Sequence, residues 1–122
     1  MHVDRAWLLD VAAKYVPGDP DVTDYGTFAA AAARHADTVL DVPVYTTSQH
    51  RAAALFHQLI NVPGLDWANE QYAAAVALAY LQISGEQVSV EPYRVAQFAQ
   101  RAQVERLPVR EVAVEIKNWC GS

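Results

Sequence analysis

The residues best placed to do chemistry lie in one short stretch, Val62-Pro63-Gly64-Leu65-Asp66-Trp67-Ala68-Asn69-Glu70-Gln71, just before a long apolar segment. Asp66 and Glu70 are spaced to bring two carboxylates near one loop, where they could hold a cation, with Asn69 and Gln71 as further polar groups. The plainer reading is helix capping. Asp66 or a neighbour would cap the helix that follows, and Glu70 in its first turn would complement the helix dipole. No metal centre is expected, and Asp66 is the residue that would bind a cation if one were held. His57 stands one turn before the loop, at the edge of an apolar helical face, and is an auxiliary candidate. Of the other histidines, His50 reads as solvated and His35 as the end of a helix. No His/Asp/Glu set has the spacing of a zinc site such as H-E-x-x-H. Cys120 is the only cysteine, so neither an intrachain disulfide nor a Cys-based metal site can form, and it reads as inert. Trp67 is a large aromatic in a loop. It could plug a cleft, anchor a partner, or fold back onto the core.

Composition limits what such a loop can serve. The chain has 122 residues, 52% hydrophobic and 19% charged, with five glycines. That is enough for one sizeable core, and a single domain over residues 1–122 is expected. The formal charge is −5. An acidic domain gains little from a polyphosphate backbone or an anionic bilayer surface, so neither nucleic acid nor membrane is expected as a partner. The N-terminus, Met1-His2-Val3-Asp4-Arg5, has no signal-peptide pattern. The apolar run from Ala73 to Leu81 is far below the ~18 residues that span a bilayer. A cytoplasmic location is expected.

Helical periodicity supplies the elements that must position the loop. Asp4 caps a first helix with Trp7, Leu8, Val11, Ala12 and Tyr15 on one face, which Val16-Pro17-Gly18-Asp19-Pro20 stops. A second runs from about Gly26 to His35, capped by Asp24. Asp37 to Thr47 reads as a loop, with no strand pair carrying hairpin turn chemistry. Ser48 opens a third helix, with Ala52, Leu55, Phe56, Leu59 and Ile60 at i, i+3, i+4, i+7 and i+8, ending near Asn61. A fourth runs from about Asn69 to Ser84, closed by Gly85 at C′. It is apolar all round from Ala73 to Leu81, the mark of a central helix. Pro92 begins a fifth helix, with Val95, Phe98, Ala99 and Ala102 inward. Pro108 opens a sixth, with Val109, Val112, Ala113, Ile116 and Trp119 on its core side. The aromatics Trp7, Tyr15, Phe56, Tyr80, Phe98 and Trp119 all fall at helical spacings that suit a core. The expected fold is all-α: six helices around a buried fourth.

Three stretches, in order, resemble the Doc (death-on-curing) toxins of the Fic/Doc superfamily. Gly18-Asp19-Pro20-Asp21-Val22-Thr23-Asp24-Tyr25-Gly26 is similar to that family's "GDPGVRDYG". Arg51-Ala52-Ala53-Ala54-Leu55-Phe56-His57-Gln58-Leu59 is similar to its "KAAALLHAL". Ala79-Tyr80-Leu81-Gln82-Ile83-Ser84-Gly85 is similar to its "FLRLNG" helix end. The resemblance implies a Fic-like helical bundle. Between the second and third stretches the family carries "H-x-F-x-D-[AG]-N-K-R". Here Asp66, Ala68 and Asn69 match the D-A-N core if Trp67 is a one-residue insertion. Val62 stands at the histidine, Gly64 at the aromatic, and Glu70 and Gln71 at the lysine and arginine.

In such a family the histidine is the general base, the acidic residue helps hold magnesium, and the basic pair holds nucleotide phosphates. The resemblance thus implies transfer of a phosphoryl or nucleotidyl group to a translation factor. The substitutions point the other way. Val62 accepts no proton, and losing a general base costs about 10²–10⁴-fold. Glu70 and Gln71 remove two positive charges and add a negative one. No catalytic residue is therefore expected, and no cofactor, with ATP and magnesium relevant only if the family activity survives. The degenerate loop Asp66, Trp67, Asn69, Glu70 and Gln71 remains as a ligand-site candidate. The expected function is binding or regulation, with an antitoxin-like partner seated as a helix in a groove. The alternatives are altered chemistry in the same cleft, or a still-active toxin.

Overall fold

The computed structural model describes residues 3–18, 20–36, 38–39, 42–43, 45 and 47–121. Among these residues six helices form the body of the fold: α1 (Arg5–Tyr15), α2 (Tyr25–His35), α3 (Ser48–Asn61), α4 (Asn69–Ile83), α5 (Pro92–Glu105) and α6 (Val109–Trp119). The fold class is all-α, as the periodicity predicts.

Local chemistry sets the helix ends. The Asp4 carboxylate accepts from the Trp7 amide at 2.9 Å, and the Asp24 carboxylate from the Gly26 amide at 2.9 Å. Each supplies an acceptor to an N–H that the first turn leaves without one. Thr47 does the same for α3, its hydroxyl taking the His50 amide at 3.1 Å. At the far end of α4, Gly85 has φ +88°, the left-handed conformation that closes a helix. Pro92 sits in the first turn of α5, where its missing N–H costs nothing.

The core forms where α3 lies along α4. Ala52, Ala53, Leu55, Phe56 and Leu59 of α3 and Ala73, Val76, Ala77, Tyr80 and Leu81 of α4 are all buried. Alanines at the contact let the two backbones approach closely. The centre is shared between these helices. α3 also packs against α2, α5 and α6, and α4 against α1 and α5. At the α6 end, Trp119 is fully buried and meets Phe98 edge-on, with ring centroids 6.0 Å apart. Its indole N–H donates to Glu115, which also takes a two-pronged bond from Arg94 of α5 at 2.9 and 3.1 Å. Partial burial would raise the Glu115 carboxyl, but these bonds hold it below its usual value.

Two expectations are corrected. Tyr15 is 62% exposed, not core: α1 ends there, and the next residue, Val16, in extended backbone, is the one buried. Within Asp37 to Thr47, Thr38–Val39 pairs antiparallel with Val42–Pro43, in register Thr38↔Pro43 and Val39↔Val42. β-Branched residues favour that pairing although the sequence has no Gly or Asn turn signal between them. Asp37, Leu40, Asp41, Val44 and Thr46 of that stretch lie outside the described residues, as do Met1, His2 and Asp19.

Candidate functional site

The stretch from Val62 to Gln71 joins the two central helices, and a side chain of α4 fixes its shape. The Asn69 amide closes on the backbone of Leu65 twice. The Leu65 N–H donates to Oδ1 at 3.0 Å, and Nδ2 donates to the Leu65 carbonyl at 2.9 Å. Asn69 is buried, and Leu65 beside it is 3% exposed. Ala68, the N-cap of α4, is left-handed at φ 62° and makes no side-chain cap.

A second set of bonds ties the loop to the segment before and within α2. The Asp66 amide donates to the Asp21 carbonyl at 2.9 Å, and the Asp66 carboxylate accepts from the Asp21 amide at 2.9 Å. The amides of Thr23 and Asp24 share the Gly64 carbonyl at 2.8 and 3.2 Å. The Thr27 hydroxyl donates to the Val62 carbonyl at 2.6 Å. Gly64 is required by this close approach. A Cβ there would meet Thr27 Cγ2 at 2.4 Å and Phe28 Cζ at 2.9 Å. The space that an aromatic at position 64 would need is thus filled by Phe28 from α2.

The candidate residues therefore do not converge. Asp66 does not cap α4, as the capping reading allowed. Its carboxylate serves the backbone at Asp21 instead, because the loop runs back along that segment. Asn69 spends both ends of its amide on Leu65. Glu70, half-buried, and Gln71, exposed, face the other way, into a groove of about 700 Å³ between α4 and α5. Glu70 lies in the first turn of α4, where its charge is favoured by the helix dipole. Trp67 folds against the turn after α1. Its ring would lie 2.5 Å from a Cβ at Gly18, itself at φ +85°, yet it stays 48% exposed. Val62, at the position of interest for a proton acceptor, is 42% exposed. Among the described residues, no Lys or Arg side chain bonds to residues 62–71, and no three His, Cys, Asp or Glu side chains could share a metal ion.

His57 is held away from base chemistry. Arg34 of α2 donates from Nη1 to His57 Nδ1 at 2.8 Å and from Nε to the Tyr45 hydroxyl at 3.2 Å. Arginine has no acceptor, so Nδ1 must carry the lone pair and Nε2 the proton. Burial, then the nearby Arg34 charge, lowers the His57 pKa and keeps the ring neutral. His50 is exposed. His35 ends α2 and is buried, with Nδ1 donating to the Ala32 carbonyl and its ring edge-on to Tyr80. Burial pushes the Cys120 thiol up, away from the reactive thiolate.

Sequence reasoning missed three features. The Asn69–Leu65 clamp had a usable signal, an Asn at the start of a helix after Pro-Gly. The Arg34–His57–Tyr45 cluster and the α4–α5 groove join residues far apart in the chain, and no local pattern marks them.

No protein-family model matches the chain. Over 90 residues it is 33% identical to a protein named Toxin Doc from Mycolicibacterium smegmatis, a match covering 74% of this chain and 69% of that relative. The chain belongs to the Doc toxin family. In this Doc-family chain the loop between α3 and α4 carries valine at 62, aspartate at 66, asparagine at 69, glutamate at 70 and glutamine at 71. Among its described residues, no helix is long and apolar enough to cross a membrane.

Proposed function

We propose that this Doc-family chain acts by binding another protein, and that its inherited loop does not transfer phosphoryl or nucleotidyl groups. The observation that carries this reading is the state of His57. It is the histidine nearest the loop, and its Nδ1 lone pair is taken by Arg34 while Nε2 holds the proton. Val62 offers no substitute. A nucleoside triphosphate with magnesium does not fit these residues. Asp66 is engaged with the Asp21 backbone, Glu70 places a negative charge in the first turn of α4, and no cationic side chain bonds to the loop among the described residues. On these grounds the Fic-type motif is read as degenerate. Altered chemistry in one shared pocket would need Asp66, Asn69 and Glu70 together, and their hydrogen bonds and facing favour binding instead.

The partner surface in this reading is the groove between α4 and α5, with Ala74, Ala75, Leu78, Val90, Tyr93 and Ala96 among its lining. Alanines on both helices open this groove, and its apolar lining suits the apolar face of an antitoxin-like segment. The deciding experiment has two arms. Isothermal titration with ATP and GTP, with and without magnesium, should show no micromolar binding. Incubation with α- and γ-labelled nucleotide and a cell extract should label no acceptor. Transfer of label by the purified chain, abolished by Asp66→Ala, would overturn the proposal.

A further inference from the structure

Arg34 stands in the last turn of α2, half-buried, and no carboxylate among the described residues pairs with it. A guanidinium has five N–H donors. One, on Nε, goes to the Tyr45 hydroxyl, and one, on Nη1, to His57 Nδ1. Both acceptors are neutral. The remaining N–H groups on Nη1 and Nη2 meet no acceptor among the described residues.

Arg34 also dictates what its two neighbours present. Because His57 accepts at Nδ1, its free donor is Nε2–H. Because the Tyr45 oxygen accepts from Arg34, its own O–H is left to donate. Three side chains from α2, the segment before α3, and α3 itself thus make a cluster of donors, with a full positive charge and, among the described residues, no anion. The chain as a whole is acidic, at −5, yet no carboxylate among the described residues pairs with this cation. The C-terminal dipole of α2 favours a positive charge at Arg34, but it leaves those N–H groups unused.

We infer that Arg34, Tyr45 and His57 form a binding site for an oxyanion, a phosphate or a carboxylate, taken by the guanidinium fork and completed by the histidine N–H or tyrosine O–H. Two parallel N–H···O bonds to one anion are the geometry for which an arginine fork is suited, and charge makes them about twice as strong as neutral bonds. The site uses none of residues 62–71, although His57 stands one turn before them on α3. It is independent of whether the loop between α3 and α4 handles nucleotides.

The test uses the full chain, labelled for NMR, at pH 7 and fixed ionic strength. Sodium phosphate and sodium acetate are titrated separately, with sodium chloride as the control. The expected result is a saturable shift of the Arg34 Nε–H and the His57 ring resonances with at least one oxyanion, and a His57 titration moved upward. Saturation by phosphate alone assigns a phosphate ligand, and saturation by acetate a carboxylate. Arg34→Gln weakens the response at least about tenfold, and Arg34→Lys, which keeps the charge but not the fork, also weakens it. If Arg34→Gln does not fold, the Lys variant decides. No saturable shift beyond chloride, or a response undiminished in the folded variants, would overturn the inference.

Discussion

Asn69 holds Leu65 by both ends of its amide, at 3.0 and 2.9 Å, so the residue that opens α4 also fixes the loop before it. The bond pair joins a buried side chain to a buried backbone. Asn69→Ala leaves the Leu65 N–H and carbonyl without partners in an apolar setting. Loss of such bonds costs about 1–3 kcal/mol per stranded group. Urea denaturation should show a destabilisation in that range or above it. A loss under ~0.5 kcal/mol would mean that water replaces the amide freely.

Trp67 and Gly18 offer a double-mutant test. A methyl at Gly18 would clash with the indole at 2.5 Å and must also adopt φ +85°. Gly18→Ala should therefore cost about 1–3 kcal/mol. Trp67→Ala removes a half-exposed ring and should cost less. With both changes the clash is gone and only the backbone strain remains, so the two effects should fall short of additive by ~0.5 kcal/mol or more. Strict additivity in urea melts would show that the ring moves aside without cost.

The helices were legible because their ends are punctuated. Asp4, Asp24, Pro92 and Gly85 mark boundaries by chemistry confined to one turn, and the apolar spacing of α3 and α6 sets their inward faces. The loop was not legible in the same way. Asp66 looks like a cap because capping is a local habit, whereas its true partner, Asp21, is 45 residues distant. Only packing of the loop against the entry to α2 brings the two together. Tyr15 shows the same limit from the other side. Spacing assigns it to the inward face of α1, but a face stays buried only as far as a neighbouring helix covers it. The substitutions at 62, 70 and 71 were readable as chemistry. The directions in which Glu70 and Asp66 face were not.

The pH dependence of stability follows from His57. Its pKa in the folded chain lies below 6.5, with burial the larger cause and the Arg34 charge the second. In the unfolded chain it should titrate near ~6.5. As pH falls below that value the unfolded state takes up a proton that the folded state resists. Stability therefore declines from about pH 6.5 down to the folded pKa, and this contribution then levels off. Wild type should lose more stability between pH 7.5 and 5.5 than His57→Gln, compared by urea midpoints. Arg34→Gln should raise the folded His57 pKa in NMR titration. An unchanged pKa in that variant would remove the electrostatic half of the argument.

Ala77 tests the close approach of the two central helices. It is fully buried on α4, which lies along α3 with its own buried alanines. Ala77→Leu adds three carbons where interiors are already close-packed, so side chains must leave their rotamers or the helices must separate. The expected cost is about 1–3 kcal/mol, read as a lower urea midpoint. Ala29, on the exposed side of α2, is the control, and Ala29→Leu should stay within about 0.5 kcal/mol of wild type. If both substitutions are equally mild, α3 and α4 are not held together by small residues at their contact, and the packing that positions Asn69 needs another source.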